Sequence, residues 1–351
     1  QLEARALIES VLRAATYPAA RFGLRVCEQE SSPTFSQLTT FETEARTQLL
    51  RFFALLLCSS LLFVSPKSVA GQPDVASHAG APDQAYLIIR SDDGGMSHSV
   101  NMALEKLIDT GLPVSVSVMF PTPWYLETVD ILKRHPDVAV GIHLTLNSEW
   151  KDYRWGPVAG SAAVPSLVDA NGYFFPSAEA LHQNHPDLGQ VETELRAQIN
   201  RALHSGLKID YVDYHMGTVF DDPQFLAIAE KLAKENGFGM MGYFGETREN
   251  PQYDAAPSAK TDSVVAFVDR LRPGYSVLVT HVGIDNAELG ALVDMNTSGP
   301  LADMSRNRQG ELDAVTSSRF KSAVTGHKVH LITFRQLIAM QGLSAMRRPR
   351  G

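Results

Sequence analysis

Four short apolar runs, rich in β-branched residues, each end in a residue that binds metal or moves protons. Tyr86-Leu87-Ile88-Ile89 leads into Ser91-Asp92-Asp93-Gly94-Gly95, and Val138-Ala139-Val140-Gly141-Ile142 ends at His143. Ile209-Asp210-Tyr211-Val212 ends at Asp213-Tyr214-His215, and Val277-Leu278-Val279-Thr280 ends at His281. Runs of this length between helical stretches read as buried parallel strands. In an α/β barrel the C-terminal ends of parallel strands open on one face, so residues far apart in sequence meet in one pocket. With the further strands and helices below, the pattern gives about seven βα units, compatible with an incomplete or distorted (β/α) barrel and a single domain over residues 86–342.

The rest of the chain is divided by composition. Arg46 and Arg51 precede the apolar stretch Phe52 to Val64, and Ser68-Val69-Ala70 stands before Gly71. A basic region, a short apolar core and small residues at the end make residues 46–70 a secretory signal peptide, cleaved near Ala70. The core is short for a bilayer-spanning helix, so no stable membrane span is expected in the mature form. That places the mature protein outside the cytoplasm, secreted or periplasmic. Residues 1–45 precede the signal and read as a non-native or disordered extension. Residues 71–85 form a Gly- and Pro-containing linker, and residues 343–351 a basic, disordered tail. Both cysteines, Cys27 and Cys58, lie N-terminal to the barrel, which excludes a disulfide framework there. A net charge of -8 argues against nucleic acid as a partner, and a homodimer is compatible with the sequence.

Along the barrel, Ser97 is placed to cap a helix running to about Thr110, and Pro113 to Phe120 is a second strand. Helices are expected over Leu188 to Ser205, Pro223 to Glu235, Thr261 to Leu271 and Glu311 to Thr325. Further strands are expected at Phe238 to Phe244 and Val329 to Phe334. The stretch from Asn147 to about Pro186 is irregular and holds Trp150, Tyr153 and Trp155. Loops of that length in a compact domain are usually functional.

Two adjacent carboxylates after a buried strand repel each other unless a cation holds one of them. Asp92-Asp93 can equally be a helix N-cap followed by a solvated acid. For His143, His215 or His281 taken singly, a core histidine bonded to backbone is the commoner case. Together, one carboxylate and two imidazoles are a known ligand set for catalytic zinc and related ions. His281 has the chemistry to protonate a leaving group. Asp213 either orients a ligand or pairs with a neighbour. Trp150, Tyr153 and Trp155 suit a sugar-stacking wall, or a loop folded over its own aromatics.

At these residues the chain resembles the YdjC/ChbG-like carbohydrate deacetylases, relatives of the polysaccharide deacetylases, from about Tyr86 to Gln341. The Asp-Asp-x-Gly block with Ser97 and Asn101, the Gly-Ile-His-Leu block at Gly141 to Leu144, the Asp-x-His block at Asp213 to His215 and the His-x-Gly block at His281 to Gly283 occur in that order. The resemblance implies removal of acetyl groups from N-acetylated sugars or oligosaccharides with one divalent cation, Zn or Mg. It makes Asp93, His143 and His215 the metal ligands, Asp92 the base and His281 the acid. Tyr214, Arg308 and Glu311 join the aromatic trio as candidate substrate-binding residues. The chain departs from the family pattern at Gly94, at Met216-Gly217-Thr218 and at Val282, which reshapes the pocket and leaves the glycan open. Two rival readings remain: a secreted glycan-binding barrel without turnover, and a glycosidase, which would need two carboxylates astride the scissile bond.

Overall fold

The computed structural model describes residues 82–297 and 302–349. The stretch expected to be a signal peptide, the residues before it and both cysteines lie outside the described residues. The described residues form one compact unit.

Seven strands form a curled, wholly parallel sheet in the order β5-β4-β3-β2-β1-β7-β6, a half-barrel with flanking helices. They are β1 (Ala85–Gly94), β2 (Val114–Val118), β3 (Ala139–Leu144), β4 (Ile209–Tyr214), β5 (Gly239–Met240), β6 (Thr247–Glu249) and β7 (Gly274–Thr280). A short β8 (His330–Leu331) pairs with β1 at Tyr86 and Leu87. Every pairing is parallel, and among the described residues none joins β5 to β6, so the barrel stays open. The central strands β1, β2 and β3 are buried along nearly their whole length because both faces are covered, as parallel sheets require. Ile89, Val116, Val140 and Leu278 share one core cluster, while Ile88, Ala139, Tyr211 and Val277 share a second.

The helices follow the expected order. α1 (His98–Ile108) is capped by the Ser97 hydroxyl, which accepts from the Val100 N–H. α2 (Tyr125–Arg134) follows β2, and the long loop after β3 contains a short helix, α3 (Ala178–Gln183), before α4 (Leu188–His204). After β4 come α5 (Thr218–Asp221) and α6 (Pro223–Asn236), capped by Asp222. α7 (Lys260–Asp269) precedes β7, and α8 (Ala287–Gly290) follows it.

Several expectations need correction. The single helix from Glu311 to Thr325 is two, α9 (Met304–Thr316) and α10 (Ser318–Gly326). Ser317 takes an extended conformation between them and its hydroxyl caps the second. The strand expected over Phe238 to Phe244 contains only two ladder residues, since Tyr243 N–H turns back to the Met240 carbonyl. The strand expected over Val329 to Phe334 stops at Leu331, because Thr333 caps α11 (Phe334–Gln341) with Gln336 in a capping box. The basic tail is docked as far as it is described: Arg347 N–H donates to the Tyr243 carbonyl, and Arg348 pairs with Glu230. No helix among the described residues is long and apolar enough to cross a membrane.

Candidate metal centre

The C-terminal ends of β1, β3, β4 and β7 deliver the site. At the end of β1 the pairing with β2 shifts between Ser91 and Gly94, and Asp93 takes a left-handed backbone (φ 62°). In a regular strand Asp92 and Asp93 would face opposite sides. The irregularity lets both side chains stay buried in one site, and strained backbone of this kind clusters at functional positions.

His143 is the penultimate residue of β3, and His215 directly follows β4, with its N–H on the Leu144 carbonyl. Both rings are buried. Asp93 Oδ1 lies 3.5 Å from His143 Nε2 and 3.3 Å from His215 Nδ1. That oxygen is buried and has no hydrogen-bond partner. The other nitrogen of each ring faces a carboxylate: His143 Nδ1 donates to Asp213 Oδ1 at 2.9 Å, and His215 Nε2 to Glu149 Oε2 at 2.9 Å. Two imidazoles thus turn their remaining nitrogens toward one orphaned carboxylate oxygen. The ligand atoms of Asp93, His143 and His215 lie within 4.8 Å of one another, a donor set that suits a divalent cation. Asp92, His143 and Asp213 also lie that close, but Arg90 already occupies the space between the two aspartates.

Arg90 is buried with Asp92 and Asp213. Its Nε and Nη2 donate to the two Asp92 oxygens at 2.7 and 2.6 Å, and its Nη1 lies 3.2 Å from Asp213 Oδ2. Burial alone would lower the pKa of the guanidinium, yet the two carboxylates outweigh it and raise it. Ser117 donates to the same Asp213 oxygen at 2.6 Å. On the other side, Arg308 from α9 donates to Asp93 Oδ2 at 2.6 Å. Burial raises the Asp93 carboxyl, but Arg308, His215 and His281 together hold it well below the ordinary carboxylate range.

His281 follows β7, and its Nε2 lies 3.9 Å from Asp92 Oδ2. Burial pushes its pKa down to about 4. Behind it, Glu311 accepts the His281 backbone N–H at 2.7 Å and the Thr280 hydroxyl at 3.1 Å. A cavity of about 410 Å³ opens over these groups, with Asp92, Asp93, Glu149, His215, His281 and Arg308 on its wall.

Residues 86–325 match the family model described as YdjC-like protein. The chain belongs to the YdjC-like family. Among curated relatives, a carbohydrate deacetylase of Brevibacillus brevis is 28% identical over 261 residues, 72% of this chain and 99% of the relative. A carbohydrate deacetylase of Geobacillus stearothermophilus is 27% identical over 262 residues, again 72% of this chain and 97% of the relative. A solved structure from Enterococcus faecalis V583, provisionally named a cellobiose-phosphate cleavage protein, superposes with a TM-score of 0.60 at 22% identity, covering 72% of this chain and 99% of that one. That likeness establishes the shared fold.

In this YdjC-like chain the structure brings Asp92, Asp93, His143, His215 and His281 to one point, sets Asp213 against His143, and adds Arg90 and Glu149. The only sequence signal for Arg90 was its place two residues before Asp92, on the same strand face. Glu149 gave none, because it sits in an irregular loop. The aromatic wall is corrected. Only Trp150 of the trio lines the cavity, and it is 1% exposed beneath Arg308, whose guanidinium lies 5.9 Å from its ring centre. Trp155 is buried with its Nε1 on the Asn147 carbonyl at 2.7 Å, and the Tyr153 hydroxyl donates to the Met96 carbonyl. The loop folds over its own aromatics. Tyr214 does line the cavity, with Arg248 stacked over its ring. Arg308 also lines it but is committed to Asp93, whereas Glu311 lies off the cavity wall, behind His281.

Proposed function

We propose that this protein is a metal-dependent carbohydrate deacetylase that hydrolyses the acetamide of an N-acetylated sugar or short oligosaccharide. The observation that carries this reading is the placement of an Arg-clamped carboxylate, Asp92, and an imidazole, His281, 3.9 Å apart beside the Asp93–His143–His215 triad. The relatives' names, carbohydrate deacetylase, point the same way.

Asp93, His143 and His215 would hold one divalent cation, Zn or Mg, which supplies Lewis acidity toward the acyl carbonyl and toward water. The chain's own groups carry the protons. Asp92, fixed in orientation by two hydrogen bonds from Arg90, takes a proton from the attacking water. His281 gives a proton to the departing amine. Because burial keeps the imidazole neutral near pH 7, it receives the proton it donates during the reaction, and Asp92 is the adjacent source. Arg308 keeps Asp93 ionised, which a cation ligand needs.

A cavity of about 410 Å³ is within the range of small-ligand sites, which supports a chain end or short oligosaccharide over the middle of a long polymer. The pattern at residues 46–70 supports action outside the cytoplasm, in the periplasm or medium. A screen of N-acetylated oligosaccharides, with released acetate and released reducing ends measured in parallel, tests the proposal. Acetate without new reducing ends is the expected result. New reducing ends without acetate would make the protein a glycosidase, and binding without either product would make it a glycan-binding barrel.

A further inference from the structure

We propose that Glu149 is a positioning residue for His215 and sets the cation affinity of the site. The inference rests on reading Asp93, His143 and His215 as the cation ligands. An imidazole can turn either nitrogen toward a cation, and a partner on the far nitrogen decides which one. His143 has such a partner from the neighbouring strand, Asp213. His215 stands just past the end of its strand, next to Met216 and Gly217, which both have positive φ, so the sheet does not fix its ring. Glu149 does: its Oε2 meets His215 Nε2 at 2.9 Å, leaving Nδ1 toward Asp93.

The carboxylate is held in place although it rides on a loop. Its own carbonyl accepts the Met295 N–H at 2.9 Å, and the Lys151 N–H reaches the Val293 carbonyl at 2.9 Å. Between these rungs Trp150 and Asp294 form an antiparallel bridge. Glu149 is 4% exposed, and among the described residues its one ion-pair partner is His215. A carboxylate buried for stability alone gains more from a permanent cation such as Arg or Lys than from an imidazole. Pairing with His215 instead fits a role in presenting that ring.

The test uses the full chain stripped of metal and titrated with Zn²⁺ against a competing chelator. Wild-type protein is expected to bind one equivalent, and Glu149→Gln, which keeps the size and removes the charge, is expected to bind about 10–100-fold more weakly. Glu149→Ala serves as a second variant, with thermal unfolding of each confirming a folded chain. In turnover assays Glu149→Gln should regain most of its kcat at saturating Zn²⁺. Zn²⁺ affinity within about twofold of wild type in both variants would overturn the proposal, as would a wild-type chain that binds no Zn²⁺. Weakened binding in Glu149→Gln from a chain that releases no acetate from any glycan would uphold the role of Glu149 and remove the deacetylase reading.

Discussion

Asp213 stands two residues before His215 in the sequence, yet it serves His143. The two are register partners across β3 and β4, and His143 Nδ1 donates to Asp213 Oδ1 at 2.9 Å. Parallel register, not proximity along the chain, decides which imidazole the carboxylate orients.

The triad reading predicts one bound divalent cation per chain. His143→Ala or His215→Ala should lose most of it, since a site with three protein ligands tolerates the loss of one poorly. Metal analysis of the purified variants checks this, and full occupancy in both would exclude the ligand set.

Asp92 and His281 are predicted to act on protons and not to hold the cation. Asp92→Asn should keep the metal and lose about 10²–10⁴-fold in kcat, the usual range for a general base. His281→Ala should behave alike, with the smallest loss on acyl substrates that have better leaving groups. Loss of metal from Asp92→Asn would show that Asp92 and Asp93 share the ligand role.

Gly141→Ala should lower the melting temperature without touching any site residue. A Cβ there would lie 2.3 Å from Tyr211 Cε2 and 2.4 Å from Cζ, and the ring has little room to retreat because its hydroxyl is bonded to Ser117. Overpacking of this kind costs about 1–3 kcal/mol. The shift of β3 should also weaken cation binding through His143. An unchanged melting temperature would mean that the Tyr211 ring is free to move.

The aromatic residues should separate by position. Tyr214→Ala, on the cavity wall, should raise KM more than it lowers kcat, because wall contacts serve substrate and transition state alike. Tyr153→Phe should leave KM unchanged, since its hydroxyl is spent on the Met96 carbonyl away from the cavity. Trp150→Ala should show chiefly as a stability loss of about 3–5 kcal/mol, the cost of emptying a large buried site. A raised KM in Tyr153→Phe with none in Tyr214→Ala would reverse this assignment.

The strands that lead to Asp92-Asp93, His143, His215 and His281 were legible in the chain alone, because a buried parallel strand is a mostly apolar run and its polar end is conspicuous against it. That was enough for the half-barrel and for the five residues gathered at its mouth. Tertiary structure alone decided the rest. Pairing register gave Asp213 to His143. The bulge and left-handed backbone at Asp93 let neighbouring carboxylates share one site. A ladder between residues 149–151 and 293–295 carried Glu149 to His215 across a loop that has no periodicity to read. The same loop buried Trp155 and took Tyr153 from the cavity wall, since aromatic rings gain as much from packing on one another as from facing a ligand. Periodicity marks which residues are buried, but which buried residues meet depends on register and loop path, and those are fixed by contacts between distant segments.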